Sequence, residues 1–273
     1  MYQSKTNFIF ILCLLFFQIS GCDEHLTEEP EEDTVEEKQV SKRKTMYGIE
    51  FIAETEKNMF PQSWQDAPIK AEGVPMTKNK EIARSMKVMP KAASIYPKGF
   101  LAKSLKKVYL LKEIKFYGLS YGGTNDANNL FLTNKGKAKG FTDDYIERTF
   151  HHELSSIILR KYSIFFDDAT WTKITKHQFL MDKTGTDAVA SGETSTKIDE
   201  EYCKIGVLSQ YSKASIEEDF NIFTENLFMN NTMLWEMAEK YPVIKQKINI
   251  VVKLYQSQDK NFTLAYFQNI GKQ

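Results

Sequence analysis

Residues 142–162 read TDDYIERTFHHELSSIILRKY, and this stretch decides the fold that the sequence predicts. Thr142 belongs to the residue types that cap helix N-termini, and the two aspartates after it favour the positive end of a helix. At about 100° per residue, five apolar side chains share one face of such a helix. They are Ile146, Phe150, Leu154, Ile157 and Ile158. The pattern predicts one long helix that packs this face on a core.

The opposite side of the predicted helix has mid-sized polar and aromatic residues where an ordinary surface helix has lysines and glutamates. These residues are Tyr145, Thr149, His152, Ser156 and Leu159, with Glu153 at the edge. Such a side suits a helix that lines a cleft. We therefore expect any chemistry of the protein to lie on this face.

The string HELSS at 152–156 resembles the zincin motif HExxH with its last histidine replaced. In that motif two histidines one turn apart bind zinc, and the glutamate polarises the metal-bound water. His152 and Glu153 match the first two positions, whereas Ser156, a poor zinc ligand, stands at the second ligand position. His151 points about 100° away from His152 on an ideal helix and cannot simply substitute. A His-Glu pair at the edge of a core is the alternative interpretation.

A second segment, GVLSQYSKASIEEDF at 206–220, resembles the downstream block of a family of zinc-binding metallopeptidase lipoproteins associated with substrate import. The resemblance covers roughly residues 80–257, including the Tyr96-Pro97 block. The residues of the downstream block that match are Gly206, Ser209, Tyr211, Glu218, Asp219 and Phe220.

This resemblance implies an α+β fold of the zincin-like metalloprotease type, with a lethal-factor-like layout. A small twisted sheet packs on an active-site helix, and a mainly helical C-terminal part follows. The resemblance also implies zinc as cofactor, His152 and Glu218 as metal ligands, Glu153 as catalytic base, and a peptide or protein substrate. The implied partners are outer-membrane nutrient-uptake proteins.

The chain departs from the family at Ser156, where the family has histidine, and at Asn221-Ile222, where it has Ala-Glu. A catalytic zinc site uses three protein ligands, so the first departure weakens the predicted site. Two functions stay open: a zinc-dependent peptidase, that is a hydrolase, and a pseudoenzyme that serves as a binding or accessory lipoprotein.

Several other residues have two interpretations each. Residues 215–218 also form a capping box, so Glu218 either caps its own helix or binds metal. Asp219 is a candidate to orient a ligand histidine, and His177 is a candidate third ligand from a loop. Tyr211 either stabilises an oxyanion or packs beneath the site.

The N-terminus is predicted to be a targeting segment rather than part of the fold. The apolar run at 8–17 is shorter than the ~20 residues that a membrane-spanning helix needs. The ISGC sequence that ends at Cys22 resembles a bacterial lipobox, and an ordinary secretory signal is the alternative. We expect a signal peptide at 1–21, an acidic tether at 22–45 and a zincin-like domain at 46–273. A lipid on Cys22 is expected to anchor the protein to the cell envelope, most simply to the outer membrane.

The formal net charge of zero is a sum over unlike segments. Residues 22–38 contain nine acidic residues and one lysine, so residues 39–273 contain 27 acidic and 34 basic residues. The domain therefore has an excess of seven positive charges, and we expect it to favour anionic partners. It lacks an ordered aromatic stripe, which excludes a nucleic-acid interface. The acidic run is either a spacer or a surface-export signal.

Apolar periodicity and turn residues predict the remaining elements. We expect strands at 47–53, 108–116 and 129–133, the last two forming a pair joined by a turn at 122–126. We expect helical pieces on either side of Pro90, within 81–95, and helices at 215–228, 232–240 and 243–256. Cys203 is expected to be a buried thiol without a catalytic role.

Overall fold

The structure is a computed structural model that describes residues 40–180 and 183–271. The predicted signal peptide, Cys22 and most of the predicted tether lie outside the described residues. The described part is an α+β fold with a mixed seven-stranded sheet and ten α-helices, which confirms the predicted fold class at that level. The first strand contains residues assigned above to the tether, so the fold begins before residue 46.

All seven strands of the described chain lie before the long central helix. They are β1 (Arg43–Met46), β2 (Ile49–Ile52), β3 (Glu72–Pro75), β4 (Lys107–Phe116), β5 (Leu119–Tyr121), β6 (Gly123–Asn125) and β7 (Asn129–Thr133).

The helices are concentrated after the sheet. They are α1 (Gln62–Gln65), α2 (Asn79–Ser94), α3 (Asp143–Lys161), α4 (Asp168–Ile174), α5 (Gly185–Ala190), α6 (Glu200–Cys203), α7 (Ile216–Phe228), α8 (Thr232–Lys240), α9 (Pro242–Gln258) and α10 (Leu264–Asn269).

Strand β4 organises the sheet, whose order is β1-β2-β4-β7-β6. The first half of β4 pairs in parallel with β2 and with β7, and its second half pairs with β3 and β5. Side chains alternate between the two faces of a strand. Val108 and Leu110 therefore enter the main core, while Tyr109 and Leu111 enter a second cluster on the other face. Burial on both faces explains why the apolar run is continuous.

The predicted pairing of 108–116 with 129–133 is confirmed, but the predicted connection of the two strands by a single turn at 122–126 is wrong. β4 and β7 are parallel, with Lys107 opposite Asn129, and residues 123–125 form strand β6 itself. The chain reverses direction twice between β4 and β7. The first reversal is at Tyr117–Gly118 and the second follows Asn125. Both segments contain turn-forming residues. Two reversals in place of one change the relative direction of the two strands.

Helix α3 matches the predicted helix, and Thr142 caps it by accepting a hydrogen bond from the Tyr145 amide at 3.1 Å. The expectation that the polar side of α3 lines a cleft is wrong. Nearly all of α3 from Ile146 to Leu159 is buried, since it packs between the sheet, α2 and α7. Its polar side meets polar side chains of α7, which is how it can be buried.

The C-terminal helices α7, α8 and α9 lie where the sequence predicts them. Helix α2 is one continuous element and contains Pro90, where two pieces were expected. Proline removes a single backbone donor, and the burial of one face of α2 outweighs that loss. Within residues 40–180 and 183–271, no helix combines the length and the apolar character needed to cross a membrane.

Candidate functional site

Helices α3 and α7 bring the predicted site residues together in the interior of the domain. His152, Glu153 and Ser156 come from α3 and Glu218 comes from α7, and all four side chains are fully buried. On α7, residues three and seven positions after Glu218 lie on the same face of the helix. Asn221 and Glu225 occupy those positions and join the cluster. The site is thus a contact between two helix faces.

His152 lies between two carboxylates. Its Nδ1 atom is 2.8 Å from Glu225 Oε2, and its Nε2 atom is 3.1 Å from Glu218 Oε2. An imidazole donates through both nitrogens only when it is protonated. Burial lowers the pKa of His152, but the hydrogen bonds with Glu218 and Glu225 outweigh burial and raise it to about 10. The ring is therefore an imidazolium at neutral pH, held between two carboxylates of α7.

The two departures from the family motif contact each other. Asn221 Nδ2 donates to Ser156 Oγ at 2.7 Å and lies 3.5 Å from His152 Nε2. On the other side of the amide, Ser155 Oγ donates to Asn221 Oδ1 at 2.6 Å. The serine that replaces the expected ligand histidine is thus paired with the asparagine that replaces the expected alanine. An amide thus stands beside the position where the motif predicts an imidazole.

Glu153 faces the edge strand β6. Its Oε2 atom accepts a hydrogen bond from Asn125 Nδ2 at 2.6 Å, and within the described residues its Oε1 atom has no hydrogen-bond partner. A side chain at Gly123 would bring its Cβ to 2.9 Å from that oxygen, so a larger residue there would displace the Glu153 carboxyl. Burial raises the pKa of Glu153 to about 8. The carboxyl is therefore held largely protonated at neutral pH.

The Glu218 carboxylate lies in the cluster and does not cap its own helix. The Glu218 amide donates to Ser215 Oγ at 3.1 Å, so Ser215 caps α7 as predicted. The Glu218 carboxylate does not return to the cap and instead contacts His152. A Cβ at Gly185 would lie 2.3 Å from Glu218 Oε1, so the start of α5 covers this carboxylate.

Asp219 does not orient a histidine. Its Oδ2 atom accepts from Lys247 Nζ at 2.5 Å and from Trp171 Nε1 at 3.0 Å, and the ion pair with Lys247 is fully buried. Glu225 makes the histidine contact that was considered for Asp219. The sequence signal for Glu225 was its position two turns after Glu218, and this residue was not among the predicted ones.

The other candidate residues lie outside the cluster or at its border. His177 Nε2 contacts the Lys213 carbonyl at 3.0 Å and does not approach His152. His151 Nδ1 pairs with Tyr96 OH at 2.8 Å among aromatic rings, in agreement with its predicted direction away from His152. The Tyr211 ring is buried with its centroid 6.3 Å from that of His152. Cys203 is a buried free thiol.

The cluster does not fit a three-ligand zinc site. His152 Nε2 and Glu218 are two suitable donors, but the Ser156 hydroxyl is neutral and engaged by Asn221. In the described part of the chain, no three histidine, cysteine, aspartate or glutamate side chains are arranged to hold a metal ion. The described residues thus bring two of the implied ligands together and supply no third.

Comparison of the chain with protein family models, with curated proteins and with solved structures found no match. The family resemblance stated from the sequence motifs therefore stays a prediction. The features of the protein that bear on its function are the chemistry of the cluster between α3 and α7 and the sequence motifs.

Proposed function

We propose that this protein is a lipid-anchored envelope protein with a zincin-like scaffold whose metal site has been replaced by an internal hydrogen-bonded cluster. In this proposal it acts as a binding or accessory protein and has no peptidase activity. The lipobox-like sequence at Cys22 supports the anchor, and the HExxH-like string on α3 supports the scaffold.

One observation carries the proposal: the hydrogen bond of 2.7 Å between Asn221 Nδ2 and Ser156 Oγ. A lost ligand alone would leave a cavity or an unpaired polar group, which a buried site tolerates poorly. Here the replacement on α3 is matched by a replacement on α7 that satisfies it. Coupled replacements of this kind are expected when a site has been rebuilt for stability.

The state of His152 supports the same conclusion. A metal ligand must present a lone pair, and zinc would have to displace the proton that His152 shares with Glu218. Hydrogen bonds to charged groups contribute about 1.5–3 kcal/mol each, so zinc would compete with a stable ion pair. Two ligands give little affinity to offset that cost.

A zinc-dependent peptidase is the second candidate, and a specific contact favours it. His152 Nε2 and Glu218 Oε2 are 3.1 Å apart, while Glu225 holds the other imidazole nitrogen. A carboxylate on the far nitrogen is typical of histidines that bind metals. In that function Glu153 would be the base.

Metal analysis of the mature chain distinguishes the two candidates. After incubation with zinc and dialysis, we expect the wild-type protein to retain much less than one zinc per chain. Ser156→His combined with Asn221→Ala should restore a third ligand and retain about one zinc per chain. Ser156→Ala combined with Asn221→Ala is the matched control, because it opens the same space without adding a ligand.

The opposite result would support the peptidase. Stoichiometric zinc in the wild-type protein, together with peptide hydrolysis that Glu153→Gln abolishes, would overturn the proposed function. If the control variant retains as much zinc per chain as the histidine variant, the residue at position 156 does not matter for metal binding.

The proposed partner is an outer-membrane nutrient-uptake protein, as the family resemblance implies. The excess of seven positive charges over residues 39–273 suits a partner with an anionic surface. Binding to such a surface should weaken as salt rises through physiological ionic strength. Salt-independent binding would remove the electrostatic part of this proposal.

A further inference from the structure

Two consecutive large apolar side chains are exposed where α3 ends. Ile164 is 88% exposed and Phe165 is 49% exposed, and both lie on the 3-10 turn Ser163–Phe165. Single exposed apolar residues are ordinary on protein surfaces. Adjacent ones at the outer end of a turn form a protrusion, which we name the Ile164 tip and define as residues 163–165.

The surface beside the Ile164 tip is basic and contains one more exposed ring. Lys161 Nζ donates to the Lys103 carbonyl, which joins α3 to the 3-10 turn Leu101–Lys103. That turn lies against the β1–β2 reversal, where a Cβ at Gly48 would be 2.8 Å from Ala102 Cβ. Tyr47 in the same reversal is 42% exposed. These contacts place the β1–β2 reversal, the Leu101–Lys103 turn and the end of α3 next to one another.

Two acidic residues, Asp167 and Asp168, follow the tip in the chain. Asp167 uses its side chain to cap α4, accepting from the Thr170 amide at 3.0 Å, and the charge of Lys253 acts on it from α9. Asp168 follows in the same helix. The three lysines near the tip, Lys103, Lys161 and Lys253, thus outnumber these two aspartates.

We propose that the Ile164 tip inserts into the interfacial layer of an anionic lipid bilayer, with Lys103 and Lys161 on the headgroups. Apolar side chains beside lysines are the chemistry that a bilayer interface recognises. Lysine stems also lie along apolar surface while their charges stay in water. The inference rests on the proposed lipid anchor at Cys22, because an anchored domain meets the bilayer at high effective concentration.

The length of chain before the described residues is compatible with this contact. Seventeen residues lie between Cys22 and Val40. A chain of that length reaches at most about 60 Å when fully extended. A domain of this size has a radius of gyration of about 17 Å. An anchor of that span therefore lets the surface of the domain reach the bilayer.

The test places a fluorescent probe on the tip of the otherwise intact mature chain. Ile164→Cys is labelled with the environment-sensitive dye NBD, and Met233→Cys on α8, where the native side chain is 42% exposed, is the matched control. Cys203 is buried and does not compete for the label. The acylated chain is reconstituted into vesicles of phosphatidylethanolamine and phosphatidylglycerol. A Cys22→Ser chain is added to the same vesicles from solution.

We expect the probe at position 164 to shift to the blue and to be quenched by nitroxide-labelled lipid, while the probe at 233 does neither. For the Cys22→Ser chain, Ile164→Ser with Phe165→Ser should reduce vesicle binding at least about tenfold. Flotation of the acylated wild-type chain tests the anchor separately from the tip.

Two outcomes would overturn the inference while leaving the anchor intact. The acylated chain could float with vesicles while the probe at 164 behaves like the control. Alternatively, the probe could respond only when a membrane protein is added, which would make the tip a protein-binding surface. Failure of the acylated wild-type chain to float would instead contradict the proposed function.

Discussion

Replacement of Lys247 by methionine should destabilise the domain strongly. Lys247 Nζ is fully buried, lies 2.5 Å from Asp219 Oδ2 and sits 4.4 Å from the centroid of the Trp171 ring. Without the lysine, Asp219 keeps the Trp171 Nε1 donor at 3.0 Å but loses its counter-charge. Removal of one partner of a buried ion pair costs about 3–5 kcal/mol.

That cost is large beside the total stability of a typical domain, about 5–15 kcal/mol. The assay is urea unfolding of the mature chain followed by far-ultraviolet circular dichroism, with the free energy of unfolding obtained by linear extrapolation. Asp219→Asn added to Lys247→Met is the matched control. Because it removes the unpaired charge, it should recover more than half of the lost free energy.

A small effect would refute the reasoning. If Lys247→Met lowers the free energy of unfolding by less than about 1 kcal/mol, the pair is not buried as described. If the double variant is no more stable than Lys247→Met, an unpaired Asp219 charge is not the cause of the loss.

Two further predictions concern the site itself. Asn221→Leu removes the hydrogen-bond partner of Ser156, whereas Ser155 keeps the His152 carbonyl as acceptor. An unsatisfied buried hydroxyl costs about 1–3 kcal/mol, and urea unfolding should show this loss. Adding Ser156→Ala should recover part of it, and an unchanged midpoint would contradict the contact. In the folded protein, burial raises the pKa of Glu153 from its ordinary value of 4.5 to about 8. The unfolded chain therefore releases this proton at lower pH than the folded protein does. The free energy of unfolding should fall as pH rises from 4.5 to 8. Glu153→Gln should remove that part of the slope in unfolding curves taken across this range, and an unchanged slope would refute the assignment.

The helices that build the site were predictable because their signals are local. Thr142, the apolar period of α3 and the Ser215 cap all act within a few residues of the chain. The parallel pairing of β4 with β7 was not predictable in the same way. It depends on two consecutive reversals, and a segment rich in turn residues does not reveal how many reversals it contains.

The site was predictable in part. His152, Glu153 and Glu218 were chosen from their motif and do meet in the structure. Asn221 was noted only as a departure, because pairing with Ser156 is a contact across 65 residues that sequence spacing cannot show. Lys247 was missed for the same reason, since its partner Asp219 lies on another helix.

The protonation state of His152 tests the central claim most directly. Nuclear magnetic resonance of the chain labelled with ¹⁵N-histidine resolves the ring nitrogens of its four histidines, and His152→Gln assigns the signal. With a pKa of about 10, both His152 nitrogens should carry protons at neutral pH, and one equivalent of zinc should leave them unchanged. A neutral ring whose Nε2 resonance moves when zinc is added would contradict the replaced metal site.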